Sequence, residues 1–232
     1  MTLFHHDDRL GRFAQLLERA FDGRVPDGWE GWRDALGDPD RLELFFEVNL
    51  PSPPSYKEGL AHRLDRVAIL PWVRARGVAS RNLEGATKLD ALLLASTGVA
   101  VAFEAKVLSD LSKDTHYDAT RNQLARIVDV VLEPNRGLLS GLDERDPEQT
   151  YVVLLTPELF RSQPRSRLYG HLFHEYRSNP TALREDLPHR DAATIEKMSE
   201  RLGWATWEEC EDVVTGACRW LSAEVPAPRD GR

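Results

Sequence analysis

Cysteine is nearly absent: Cys210 and Cys218 are the only two in 232 residues, and no C-x-x-C occurs. Neither a disulfide framework nor a zinc ribbon is therefore supported, and free thiols in a reducing cytoplasm are expected. Long apolar runs are missing as well. The longest uncharged one, residues 91–103, is well short of the roughly 20 residues that a membrane helix needs. The start, M-T-L-F-H-H-D-D-R-L, has no basic region followed by an apolar one, so a non-exported protein without membrane contact is expected. No Walker A loop, G-x-G-x-x-G or G-x-S-x-G is present, which argues against a nucleoside triphosphatase, a Rossmann dehydrogenase and an α/β hydrolase. His171 and His174 stand three apart without the H-E-x-x-H pattern, and surface or partly packed histidines are the simpler reading.

A surplus of basic charge is also lacking, since the net charge is −8. That alone argues against a nucleic-acid partner. The acid is unevenly spread, however. Residues 1–50 carry −5 and residues 196–212 carry −4, leaving +1 for the rest. Residues 74–88 and 161–177 each hold four bases against one acid, enough to line a groove or simply to form solvated surface.

What is present is a chain of ordinary globular composition, 41% apolar, long enough for one large core. Asp7 or Asp8 caps a first helix with Leu10, Phe13, Leu16, Leu17 and Phe21 at helical spacing, ended by Gly23. Asp38-Pro39 reads as the start of a second helix carrying Leu42, Phe45 and Phe46. Leu50-Pro51-Ser52-Pro53-Pro54 is a junction. Ser55 to Glu58 fits a capping box that opens a helix with Leu60, Leu64 and Val67. An irregular strand is expected within residues 72–83, and a helix over residues 119–133 with Leu124, Ile127, Val128 and Val131 buried. Tyr151-Val152-Val153-Leu154-Leu155 reads as a buried, parallel strand. Helices over residues 158–177, 191–202 and 206–221 follow, with Gly203 as a separator. The resulting division is a helical extension (1–50), a core (51–160), a helical C-terminal part (161–221) and a disordered tail (222–232).

The most informative stretch is residues 85–107, G-A-T-K-L-D-A-L-L-L-A-S-T-G-V-A-V-A-F-E-A-K-V. Two apolar runs flank a Ser96-Thr97-Gly98 turn, with Asp90 before the first and Glu104 after the second. In an antiparallel hairpin those two ends meet, and Lys106 shares a face with Glu104 because strand side chains repeat every two residues. Two carboxylates at a strand pair suit Mg²⁺, a hard cation that keeps several waters, with the backbone carbonyl of Ala105 as a third ligand. Lys106 would orient or deprotonate the attacking water or stabilise transition-state charge. That is the chemistry of phosphodiester hydrolysis. The simpler alternative makes Glu104 and Lys106 solvent-facing residues at a strand end and Asp90 a turn residue.

The order of helix, strand with Asp90, turn, strand ending Phe103-Glu104-Ala105-Lys106, helix, strand resembles the PD-(D/E)xK nuclease superfamily, over about residues 55–156. The resemblance implies an α/β, restriction-endonuclease-like core: a central mixed sheet flanked by helices, here with extra helices at both ends. It carries Asp90, Glu104 and Lys106 onto the family's two catalytic acids and lysine, with Lys88-Leu89-Asp90 replacing the Pro-Asp of the name. Gln123 resembles the glutamine that helps position the site in the RecB-like and Cas4-like branches, although Ile127 stands where their tyrosine would be. Arg121 and Asn122 at the start of that helix, with Arg81, are candidate phosphate contacts, since helix starts favour anions. Glu58 is either a helix cap or a further metal ligand, and Glu43 and Glu47 are weaker candidates for that role. The implied activity is Mg²⁺-dependent, or Mn²⁺-supported, cleavage of DNA in bacterial defence or DNA processing, with a homodimer expected where both strands are cut. The rival is a protein that keeps the fold, lacks catalysis and binds a protein or nucleic acid.

Overall fold

A computed structural model of the chain describes residues 3–66, 84–110 and 121–222. The expected strand at 72–83, Arg81, the 74–83 part of the first basic stretch and the C-terminal tail from 223 lie outside the described residues.

The protein is an α/β fold around an open, mixed sheet of five strands in the order β1-β2-β3-β4-β5. Strands β1 (Glu43–Leu50), β2 (Thr87–Leu94) and β3 (Ala100–Ala105) form an antiparallel meander. Strands β4 (Thr150–Thr156) and β5 (Leu202–Thr206) then continue parallel to β3. The β2–β3 turn is closed by the Ala95 N–H on the Val99 carbonyl at 2.9 Å, and Gly98 supplies the φ of 90° that the turn needs.

Helices cover both faces of the sheet. One face packs α1 (Arg9–Ala20) and α2 (Trp32–Leu36) against Leu93, Val101, Phe103, Tyr151 and Val153. Asp8 caps α1 by accepting from the Gly11 N–H at 3.2 Å, and every apolar residue expected on the buried stripe of that helix is buried. Leu17, with no exposed surface, is a core anchor whose truncation to alanine costs about 2–5 kcal/mol. The other face packs α4 (Gln123–Val131), which follows α3 (Pro54–Arg66) in the described chain and makes the β3-to-β4 crossover. Leu124, Ile127 and Val128 of α4 pack among Leu92, Leu94, Ala102, Val152 and Leu154. Behind α4 lie residues of α6 (Leu168–Ser178), α7 (Pro180–Asp186) and α8 (Ala192–Glu200); the short α5 (Glu158–Ser162) leads into α6 through a 3₁₀ turn at Pro164–Ser166. The long helix expected over 158–177 is thus two.

One segment read as helical is a strand, and a further strand fills the gap expected between two helices at Gly203. Pro39–Arg41 is only a 3₁₀ turn, capped by Asp38, after which Leu42, Phe45 and Phe46 enter β1 and its approach, not a helix. The strand period is hidden because β1 changes face part-way. Leu44 packs with the α1 side, whereas Val48 and Leu50, at the same parity, pack on the α4 side. The change falls at Glu47, whose φ of 55° is left-handed and whose pairing with Asp90 is missing from the β1–β2 ladder. Residues 1–50 therefore supply an edge strand of the sheet as well as helices. Leu202–Thr206 is likewise β5, followed by α9 (Trp207–Val213), so residues 161–221 are not purely helical. Gly203, read as a separator, sits inside β5 because a Cβ there would lie 2.6 Å from the Phe21 ring.

Candidate functional site

The β2–β3 register brings the expected acids together. Ala91 pairs with Phe103, the last rung, and the next position on each strand is Asp90 and Glu104. The ladder opens there, and Asp90 turns its carboxylate to accept the Ala105 N–H at 2.7 Å. Glu104 shares the face of Ala100 and Ala102, so it points beneath α4 and is buried, 1% exposed. Lys106 follows on the same face, its Nζ 2.6 Å from Glu104 Oε1.

Helix α4 completes the group. Asn122 caps it by accepting from the Ala125 N–H at 3.0 Å, which sets Gln123 at the first helical position. Gln123 donates through Nε2 to Glu104 Oε1 at 2.7 Å and accepts from Lys106 Nζ at 3.3 Å. Asp90, Glu104, Lys106 and Gln123 thus converge at the carboxyl end of β3. Lys106 is also held by its main chain: its N–H donates to the Leu155 carbonyl at 2.8 Å, and its carbonyl accepts from the Trp207 indole at 2.9 Å. Nothing local in the sequence marks Trp207 for this role, because the contact spans 101 positions.

The electrostatics of Glu104 follow from its burial. Burial pushes its carboxyl up to about 7, with the Asp90 charge adding to the rise and the Lys106 hydrogen bond and charge opposing it. Its second oxygen, Oε2, is buried with no hydrogen-bond partner. A buried acceptor of this kind carries a desolvation cost that a bound cation or donor would remove.

The remaining candidates fall elsewhere. Arg121 is a correction: its guanidinium is fully buried and spent on internal partners, Asp129 Oδ2 at 2.6 Å and both oxygens of Glu84, so it is not placed to meet phosphate. Glu84 also takes the Ser52 hydroxyl and lies 3.0 Å from Arg126 Nε, while Asp129 Oδ1 takes His189 at 2.9 Å and Arg190 at 2.8 Å. The Arg121 guanidinium lies over the Tyr56 ring, 3.4 Å from its centroid. Beyond its capping bond, Asn122 donates to Tyr176 and to Asp186, which makes it a packing residue. Glu58 is exposed on α3 with no ion pair or hydrogen bond among the described residues, and the capping box is not formed because α3 begins at Pro54. Glu47 is exposed and paired with Lys88 at 2.7 Å, and Glu43 lies at the far end of β1. In the second basic stretch, Arg161 pairs with Glu158 and Glu209, and Arg177 with Asp22. Sequence reasoning missed Glu84 and Asp129, whose burial depends on distant partners.

Among the described residues no group of three or more His, Cys, Asp or Glu side chains is placed to hold a metal ion. Two carboxylates with one orphaned oxygen nevertheless fit Mg²⁺, which completes its shell with water and substrate oxygens. No described helix is long and apolar enough to cross a membrane. The described residues define the class: an α/β protein whose open mixed sheet ends in a buried acid–lysine–glutamine cluster. No protein-family model, curated protein or solved structure matches the chain.

Proposed function

We propose that the chain is a Mg²⁺-dependent nuclease of the restriction-endonuclease-like kind, hydrolysing phosphodiester bonds of DNA in defence or DNA processing. The observation that carries this reading is the orphaned, buried Oε2 of Glu104 beside Asp90 and Lys106. The antiparallel meander followed by a helical crossover to a parallel β4 supports it.

Asp90 and Glu104 are the residues that hold the metal, with the Ala105 carbonyl beside them. When bound, Mg²⁺ supplies polarisation of a phosphoryl oxygen and a more acidic water. Lys106 holds the attacking water or the developing negative charge, its ammonium positioned by Glu104 and Gln123 and its main chain pinned on both sides. Gln123 bridges Glu104 and Lys106 and keeps the two apart in role: one oxygen of Glu104 is engaged, the other left for the cation.

Purified protein incubated with plasmid and with single-stranded DNA, in Mg²⁺ or in chelator, tests the proposal. Metal-dependent cleavage lost in Lys106→Ala and Asp90→Ala is expected. Cleavage that survives both substitutions would sink the site, and nucleic acid left intact with Mg²⁺ or Mn²⁺ would favour a binding module.

A further inference from the structure

Half of the positive charge in the second basic stretch is left unused by the fold. Of the four arginines in residues 161–177, Arg161 and Arg177 are spent on Glu158, Glu209 and Asp22. Arg165 and Arg167 have neither an ion pair nor a side-chain hydrogen bond among the described residues. The single acid of the stretch, Glu175, accepts from Asn179 Nδ2 at 3.1 Å. Arg165 lies in the 3₁₀ turn that enters α6 and lines a groove of about 690 Å³ with Pro164, His171, His174, Glu175 and Ser178. The spacing of the last four puts them along one side of α6. Arg167 stands at the start of that helix, its guanidinium over the Phe160 ring at 4.6 Å from the centroid and its Nε buried without a partner. An aromatic face supports a cation without neutralising it, so the charge stays available to an external anion. The groove also begins at the catalytic end of the sheet. Asp110, four residues after Lys106, accepts from the Leu168 and Tyr169 N–H groups at 2.8 and 3.2 Å, the two amides that follow Arg167. Four extended residues span at most about 14 Å, which keeps Arg167 well within one duplex turn, about 34 Å, of Lys106.

We propose that Arg165 and Arg167, with His171 and His174 along the groove, form the track that holds the phosphate backbone of the DNA strand leading away from the Asp90, Glu104 and Lys106 cluster. The inference rests on the nuclease reading and says where its substrate lies. Phosphate oxygens accept from the two guanidinium groups, and the imidazoles supply further N–H donors along α6. Contacts of this kind are made to the backbone of the strand, so the track adds affinity and register but no base preference. It also reconciles a chain of net charge −8 with a polyanionic substrate, because the unpaired bases are concentrated beside the site while the acid lies at the two ends of the sequence.

The test measures binding of a fluorescein-labelled DNA duplex to the full-length chain carrying Lys106→Met, in Mg²⁺, by anisotropy across a salt series, with cleavage by the parent chain measured alongside. Arg165→Gln and Arg167→Gln are each expected to weaken binding about fivefold to tenfold at about 0.1 M salt and to reduce the salt slope by about one. Arg136→Gln removes the same charge from an exposed position beyond the end of α4 and is expected to change affinity by less than about twofold. Losses at Arg165 and Arg167 no larger than at Arg136 overturn the track, and with parent cleavage intact they leave the nuclease reading standing. A parent that neither binds nor cuts DNA overturns both. Displacement of the duplex by polyglutamate at an equal or lower concentration of charge marks the groove as a site for an acidic protein and overturns the assignment to DNA. Arg165 is exposed, so its variant reports on binding even where loss of the Arg167 contact with Phe160 lowers the melting temperature.

Discussion

Two buried carboxylates, Glu104 beneath α4 and Asp129 on that helix, have opposite electrostatics. Glu104 is pushed up to about 7, whereas Asp129 is held below the ordinary carboxylate value. Burial opposes ionisation in both. At Asp129 the His189 hydrogen bond and the Arg121 and Arg190 charges outweigh it, and each oxygen has a partner. At Glu104 one lysine and one glutamine share a single oxygen, and the other has none. The first network leaves neither carboxylate oxygen without a partner; the second leaves Glu104 Oε2 without one. Burial of an acid is therefore weak evidence of function.

The comparison is tested most severely by activity. Lys106→Met is expected to reduce metal-dependent DNA cleavage by about 10²–10⁴-fold while the melting transition stays within a few degrees of the parent. Asp129→Ala should do the reverse, costing about 3–5 kcal/mol in denaturant unfolding, because it leaves Arg121 and Arg190 charged without a shared partner. If both variants lost stability alike, the distinction between the two regions would fail.

Stability against pH separates the acids next. In chelator, the Glu104 contribution should be lost as pH rises from the ordinary glutamate value through about 7, since the unfolded chain ionises there before the folded one does. The loss is on the order of 3 kcal/mol and should be absent from Glu104→Gln. Asp129 acts at the other end: its stabilisation is full above the ordinary aspartate value and disappears as pH falls through its lower folded value. Urea titrations across the pH range measure both.

A smaller effect comes from metal. Mg²⁺ at about a hundred times its dissociation constant should stabilise the parent by about 2.7 kcal/mol, and Glu104→Gln should show little of this shift in thermal unfolding. The smallest effect is expected at Glu58, which is exposed, where alanine should change stability by less than about 0.5 kcal/mol and leave cleavage unaltered. A large loss of cleavage there would return Glu58 to the site.

Legibility in the sequence followed the range of the interactions. The hairpin could be read from residues 85–107 because a short turn sets its register, and a two-residue period then places Asp90, Glu104 and Lys106. The helix with Gln123 and the strand at Tyr151 were equally plain, since a strong apolar stripe and a continuous β-branched run are local signals. Strand β1 was not, because its apolar residues switch faces at Glu47 and imitate helical spacing. Nor was β5, whose glycine answers to the ring of Phe21, just past the end of α1.

By itself, then, the sequence determined the hairpin, the crossover and the grouping of Asp90, Glu104 and Lys106, which rest on spacing along a strand or a helix turn, while Gln123 was pointed to by the family resemblance. Only the tertiary structure decided that Arg121 is an interior cation and not a phosphate contact, and that Trp207 holds the Lys106 carbonyl. Those outcomes depend on which partner fills the space around a side chain, and packing between remote segments leaves no periodic trace in the chain.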